Sequence, residues 1–295
     1  MARATGGGPV EVRSLAVLPG GRIAVGHDSG AIRVRDVDSG AVTATLAGHT
    51  DRVRALAVLP RGRLASASAD HDVRVWALAT GACTVLAGHT ELVTSLAVLR
   101  DGRIASGSSD DTVRVWDPAT LACTAVLAHD SFVYCVAALP SGGFASGCDD
   151  GVIAVWSAAG ERVASLGGGA GFGIVLSLAV LPDGRLAAGY TDAPAAAAGG
   201  PSLVRVWDVQ RRALDAEISG HANWVRSLAA LSDGRLLSGS DDKTVKVWSV
   251  PAAAGALALC SATLEGHTDT VLALARLPDG RVASGSADGT VRVWA

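Results

Sequence analysis

The sequence lacks several features that mark particular classes of protein. Charged residues make up only 18% of its 295 positions and the formal net charge is -3, so we expect no overall attraction to nucleic acid. No stretch of 18 consecutive apolar residues occurs, so we expect no membrane insertion. No apolar segment follows the first residues, so no signal peptide is predicted and we expect an intracellular protein, cytoplasmic or nuclear.

Cysteine is scarce and is not arranged for metal binding. The five cysteines include no CxxC pair, and none has metal-ligand spacing to a histidine, so we expect buried thiols in a reducing compartment. Phosphate-binding glycine loops, HExxH and EF-hand sequences are also missing, so we expect neither a cofactor nor a metal. The cysteines are Cys83, Cys123, Cys135, Cys148 and Cys260.

What the chain does contain is an internal repeat. The string Val-Arg-Val-Trp at residues 73–76 returns in similar form along the chain, and its first copy is degenerate, with Arg35 in place of tryptophan. The copies end near residues 35, 76, 116, 156, 207, 248 and 294, so the intervals are 41, 40, 40, 51, 41 and 46 residues. This period indicates a repeat architecture, and we predict one domain of seven units over residues 1–295.

Each unit has the pattern of short strands. Apolar and polar residues alternate over runs of four to seven residues, as in residues 53–59, and turn-forming pairs separate the runs. Asp-Gly pairs at 101–102, 183–184, 233–234 and 279–280 are typical of tight hairpins. No segment has a sustained helical period. The sequence therefore predicts an all-β protein with four strands in each unit.

Repeated dipeptides identify the family that the chain resembles. A Gly-His pair, or Ala-His in one unit, precedes the closing tryptophan by 27 residues, counted from the histidine. The Trp-Asp ending survives at residues 116–117 and 207–208. On these residues the chain resembles the WD40-repeat proteins along its whole length. The resemblance implies a seven-bladed β-propeller of four-stranded antiparallel blades. It also implies that an N-terminal strand, here residues 2–5, completes the last blade, which otherwise ends after its third strand.

Five units carry His, Ser, Asp and Trp at fixed spacing. A hydrolase triad needs one activated group in one pocket, whereas these sets recur in unit after unit, so we expect a structural role and no enzyme activity. The resemblance to WD40-repeat proteins implies that these four side chains form a buried hydrogen-bond chain within a blade. Unit 1 has lost the whole set and unit 5 has lost part of it, so we expect these two blades to be the least rigid. We interpret His27, which is out of register with the other histidines, as a surface or edge residue. The predicted structural tetrads are His49, Ser66, Asp70, Trp76; His89, Ser106, Asp110, Trp116; His129, Ser146, Asp150, Trp156; His221, Ser238, Asp242, Trp248; and His267, Ser284, Asp288, Trp294.

Residues that differ between the units are the candidates for binding. Non-motif aromatics and arginines fall near the loops that the family places on its narrower top face, together with an insertion at 193–201. Aromatic side chains beside arginines are typical of interface hot spots, although they could also fill grooves or form a solvated rim. The predicted partner-binding residues are Arg13, Arg52, Arg54, Phe132, Tyr134, Asp149, Tyr190, Trp224, Arg226 and Asp241.

The sequence therefore predicts a non-catalytic scaffold or adaptor that binds a protein or peptide on its top face. We expect a monomeric propeller within a larger complex. The arginines favour a phosphorylated or acidic peptide. Alternatives are a substrate-recognition subunit of a ubiquitin ligase, a propeller enzyme that uses the central channel, and a recently amplified array with little selected binding specificity.

Overall fold

The computed structural model describes residues 10–169, 172–191, 202–251, 255 and 257–295. Within these residues the chain forms antiparallel strands and no helix, as predicted. The first three blades are β1 (Val12–Leu18), β2 (Arg22–His27), β3 (Ile32–Asp36), β4 (Val42–Leu46); β5 (Val53–Leu59), β6 (Arg63–Ser68), β7 (Val73–Ala77), β8 (Cys83–Leu86); and β9 (Val93–Val98), β10 (Ile104–Ser108), β11 (Thr112–Asp117), β12 (Ala122–Ala128).

The remaining four sheets continue the same order. They are β13 (Val133–Ala138), β14 (Phe144–Cys148), β15 (Val152–Trp156), β16 (Arg162–Gly167); β17 (Val175–Val180), β18 (Leu186–Tyr190), β19 (Ser202–Asp208), β20 (Ala213–His221); β21 (Val225–Ala230), β22 (Arg235–Ser240), β23 (Val245–Ser249), β24 (Leu259–Leu264); and β25 (Val271–Arg276), β26 (Val282–Ser286), β27 (Val291–Trp294). The chain is thus a seven-bladed propeller in which the seventh blade has three described strands.

The Asp-Gly pairs form the hairpins between first and second strands. The glycine at each has a positive φ, for example 88° at Gly102, which residues with a side chain rarely adopt. The preceding aspartate accepts a hydrogen bond from the backbone N–H two residues later, as Asp101 does from Arg103. The turn chemistry therefore fixes the register of the strands that carry the site.

The first strand of each blade lies innermost and contacts the first strand of the next blade. The hydrophobic core lies between blades, where Leu18 and Ile32 of blade 1 pack with Leu64 and Trp76 of blade 2. The ring closes because β1 contacts β25 and Val12 packs in one cluster with Leu277 and Ala283. The predicted N-terminal closing strand lies outside the described residues. Among those residues, β27 has no strand on its outer side, and Trp294 is only half-buried whereas Trp76 is buried.

Arginines in the first hairpin of several blades bond to the following blade on the face opposite the His-containing loops. Arg281 of blade 7 and Asp38 of blade 1 form an ion pair of 2.8 Å across the ring closure. In blade 4, Gly143 stands at this position and offers no side chain. These inter-blade contacts were not predicted from the sequence. The bonds to carbonyl oxygens are Arg63–Pro118 (2.8 Å), Arg103–Ala158 (2.7 Å) and Arg185–Pro251 (2.9 Å).

The prediction of buried cysteines holds for only two of the five. Cys135 and Cys148 are buried, and burial raises the pKa of the Cys148 thiol to about 12. Cys83, Cys123 and Cys260 are exposed, which corrects the prediction. Each of these three pairs with the closing tryptophan of its blade on the outer, fourth strand, where no neighbouring strand covers it.

Candidate functional site

The four-residue sets form closed hydrogen-bond chains in blades 2, 3, 6 and 7. In blade 2 the Trp76 N–H donates to the Ser66 hydroxyl at 2.7 Å, and that hydroxyl lies 2.7 Å from Nε2 of His49. Nδ1 of His49 lies 2.8 Å from the Asp70 carboxylate, which also accepts the backbone N–H of Thr50. Each chain therefore joins the loop before the first strand to the loop after the second strand.

Burial disfavours the charged form of the histidine in the chains of blades 2 and 3. Burial lowers the pKa of His49 and His89 more than the neighbouring aspartates raise it. A neutral ring with its proton on Nδ1 donates to aspartate and accepts from serine at Nε2. The serine is fully buried, so it is satisfied within the blade and is not presented to a substrate.

Blade 4 departs from the predicted tetrad at one residue. His129 and Trp156 both contact Ser146, but Nδ1 of His129 donates to the backbone oxygen of Leu127 at 3.1 Å instead of to Asp150. Blade 4 also carries Ala128 where blades 2 and 3 have glycine. A side-chain carbon at the equivalent glycines of blades 2 and 3 would lie 3.0–3.1 Å from the tryptophan ring. The imidazole sits 5.1 Å from the Trp156 ring, against 6.0 Å in blade 2.

Blades 1 and 5, which lack the set, place a large ring two residues after the missing serine. His27 is buried, not at the surface, and Tyr190 is only 1% exposed. Tyr190 packs against Phe172, which stacks on Trp207. Tyr190 is therefore not available to a partner, and its assignment as a binding residue is wrong. In the other blades this position is a serine or cysteine, so the ring fills space that a tetrad would occupy.

The remaining predicted binding residues lie at three equivalent positions repeated in every blade. One position immediately precedes the first strand and holds Arg52, Phe132 and Trp224. The second lies one residue inside that strand and holds Arg13, Arg54, Tyr134 and Arg226. The third follows the second strand and holds Asp149 and Asp241, whose backbone N–H groups donate to Phe132 and Trp224. We call the surface formed by these loops the top face.

The second position surrounds one end of the central channel. A cavity of about 400 Å³ opens there, and we call it the channel mouth. It brings together side chains from all seven blades, including five predicted residues. The seven residues at this position are Arg13, Arg54, Thr94, Tyr134, Leu176, Arg226 and Leu272.

Carboxylates at the third position hold most of the arginines in place. Arg226 makes two bonds of 2.8 Å to Asp241, and its guanidinium lies 4.7 Å from the Trp224 ring centre. Asp28 contacts both Arg13, at 3.1 Å, and Arg52, at 2.8 Å. Asp28 was not predicted, although it precedes Ser29, the residue at the tetrad-aspartate position of blade 1, just as Asp241 precedes Asp242.

The aromatic residues divide between the surface and the mouth. Phe132 is 47% exposed and Trp224 is 37% exposed, so both are accessible on the top face. Tyr134 lines the channel mouth, where burial and the nearby Asp149 carboxylate raise the pKa of its hydroxyl. The insertion at 193–201 lies outside the described residues. No group of His, Cys, Asp and Glu suited to a metal ion occurs within the described part of the chain, and no helix there could span a membrane.

Comparisons with known proteins agree with this geometry. The family described as "WD domain, G-beta repeat" matches residues 40–77, 82–117, 121–157, 213–249 and 258–295. The DENN domain and WD repeat-containing protein SCD1 of Arabidopsis thaliana is 37% identical over 68 residues, covering 23% of this chain and 6% of that protein. The nuclear distribution protein PAC1 of Candida albicans is 41% identical over 51 residues, covering 17% of this chain and 10% of that protein. The family match covers more than half of the sequence, and the chain belongs to the WD40-repeat family.

Proposed function

We propose that this protein is a non-catalytic scaffold or adaptor that binds a protein or peptide partner on its top face, at and around the channel mouth. The observation that carries the proposal is the contrast between positions. The tetrads repeat from blade to blade, whereas the three top-face positions vary: the second position holds arginine in blades 1, 2 and 6, and threonine, tyrosine or leucine in the others. Repeated residues maintain the fold, and the varied residues give the mouth an asymmetric, specific surface.

The composition of this surface supports a protein ligand. Phe132 and Trp224 are both exposed, and Trp224 lies against Arg226, which the Asp241 carboxylate holds in a fixed orientation. Aromatic and arginine side chains that are already ordered lose little entropy on binding, which favours them as anchors. The names of the two relatives describe a WD repeat-containing protein and a nuclear distribution protein, and such names fit an interaction role.

The tetrads argue against hydrolysis at these serines. A nucleophilic serine must reach a substrate carbonyl beside an oxyanion hole. Ser66, Ser106 and Ser238 are instead buried between a tryptophan and a histidine of their own blades. We therefore assign no catalytic step to them.

The test is affinity capture followed by mass spectrometry, with a variant in which the top face is altered by Arg52→Glu and Trp224→Ala. The matched control changes Arg61→Glu and Leu121→Ala, an exposed arginine and an exposed leucine in loops on the opposite face. A partner that is lost with the first variant and kept with the control supports the proposal. Ligase subunits among the lost partners would favour the ubiquitin-ligase role. Equal capture by all three proteins contradicts top-face binding.

A further inference from the structure

Blade 2 breaks a pattern that two other blades follow at the channel mouth. In blades 1 and 6 an arginine at the second position bonds to an aspartate at the third position of the same blade: Arg13 to Asp28 and Arg226 to Asp241. Blade 2 carries Arg54 at the second position, but Ala69 stands where the aspartate would be. Ala69 occupies the same structural position as Asp241, because the backbone N–H of Ala69 donates to the backbone oxygen of Arg52 just as that of Asp241 donates to the backbone oxygen of Trp224.

Arg54 is consequently a half-buried guanidinium with no hydrogen bond or ion pair to any described residue. Burial lowers the pKa of Arg54, and the neighbouring Arg13 and Arg52 lower it further, so its surroundings disfavour its charge. An arginine remains protonated even so, and a partly buried guanidinium without a protein partner can pair with an anionic ligand.

The acidic groups of the mouth are already engaged. Glu11 pairs with Arg13, Asp241 pairs with Arg226, and the Asp269 carboxylate accepts the backbone N–H of Thr270. None of these carboxylates has a described bond to Arg54. The cavity of about 400 Å³ beside it can receive a side chain from outside.

We propose that Arg54 receives an anionic oxygen group of the partner, an acidic side chain of a peptide that enters the channel mouth. This inference rests on the proposed function and specifies the chemistry of its ligand. The incoming group takes the place of the aspartate that blade 2 lacks and forms the paired N–H···O bonds that Asp241 forms with Arg226. A carboxylate and a phosphate monoester share this chemistry.

The experiment measures fluorescence anisotropy with labelled hexaglutamate, a phosphoserine-containing hexapeptide and hexaglutamine at about 50 mM salt, where ion pairs are weakly screened. Ala69→Asp supplies the missing carboxylate within the chain and should block the acidic probes while Arg54 is retained. Ala69→Asn is its matched uncharged control. Arg54→Gln removes the receptor, and Arg276→Gln removes an equal charge from an exposed inner-strand position at the opposite end of the channel.

We expect Arg54→Gln and Ala69→Asp each to weaken the acidic probes about tenfold or more, and Ala69→Asn and Arg276→Gln to leave binding unchanged. The stronger of the two acidic probes identifies the source of the anion. Absence of acidic-probe binding by the wild type, or equal loss with Arg276→Gln, overturns the inference. Capture of a partner that depends on Arg52 and Trp224 but not on Arg54 would refute the inference and leave the proposed function standing.

Discussion

Replacing Ser66 by alanine tests the hydrogen-bond chain of blade 2 directly. The change removes one buried oxygen and leaves two groups without a partner, the N–H of Trp76 and Nε2 of His49. Each unsatisfied buried group costs about 1–3 kcal/mol, so the free energy of unfolding should fall by about 2–6 kcal/mol. The space left by one oxygen is too small for a replacement water. For a domain of this size the expected decrease in melting temperature is on the order of 5–15 °C.

Urea denaturation followed by tryptophan fluorescence measures the change, with calorimetry as a second readout. Ser232→Ala, at an exposed turn with no side-chain bond, is the control and should change stability by less than about 0.5 kcal/mol. Ser284→Ala in blade 7 should cost less than Ser66→Ala, because Trp294 is only half-buried and water can reach its N–H. A cost for Ser66→Ala no larger than the Ser232 control would refute the reasoning.

The ring closure, the histidines and the arginines each allow a further prediction. Removal of residues 1–9 should lower the melting temperature in a thermal melt if these residues cover the open side of β27; an unchanged melting temperature would rule that closure out. Burial lowers the pKa of His27, His49, His89 and His129 below 6.5 in the folded protein. As the pH falls, the unfolded chain therefore binds protons before the folded chain does, so the free energy of unfolding should decrease from pH 7.5 to pH 5.5. Denaturation curves recorded across this interval measure the change. Constant stability over that interval would contradict it. Arg54→Gln should keep or raise the melting temperature because no partner is lost, whereas Arg226→Gln leaves Asp241 unpaired and should cost up to about 1 kcal/mol; a lower melting temperature for Arg54→Gln would show an unrecognised structural contact.

The fold could be predicted from the sequence because its information is local and repeated. The spacing from histidine to tryptophan recurs in five blades and the Asp-Gly hairpin in four, which is enough to specify a common strand pattern. The tetrads of blades 2, 3, 6 and 7 follow from that spacing. Departures at single positions were harder to predict. The loss of the His129–Asp150 bond in blade 4, where Ala128 replaces the usual glycine, is a departure that no motif describes.

The candidate site was predicted only in outline. Equivalent positions could be aligned between the units, so Arg13, Arg54 and Arg226 could be grouped on one face from the sequence alone. Whether a side chain is exposed depends on the size of the side chains around it. Tyr190 was placed wrongly because small residues replace the tetrad histidine and serine of blade 5, and its ring is buried in the space they leave. A neighbouring residue likewise decides the pairing of Arg54, which has no carboxylate partner because Ala69 stands in the loop where blades 1 and 6 have an aspartate. The ion pairs of Arg52 with Asp28 and of Arg281 with Asp38 could not be predicted because each joins two different blades, whose side chains meet only in the folded ring.

The exchange of a tetrad for an aromatic ring in blade 5 has a consequence for how its sequence can change. Ala188→Ser alone would place a hydroxyl beside Trp207, whose buried N–H has no described partner, but no histidine would be there to accept the proton of that hydroxyl. A histidine that completed the chain would need the volume that the Tyr190 ring already takes. Restoring the tetrad thus requires several substitutions among residues in contact, whose effects on stability we expect to be non-additive. Tolerated mutations in blade 5 should accordingly be found in combinations.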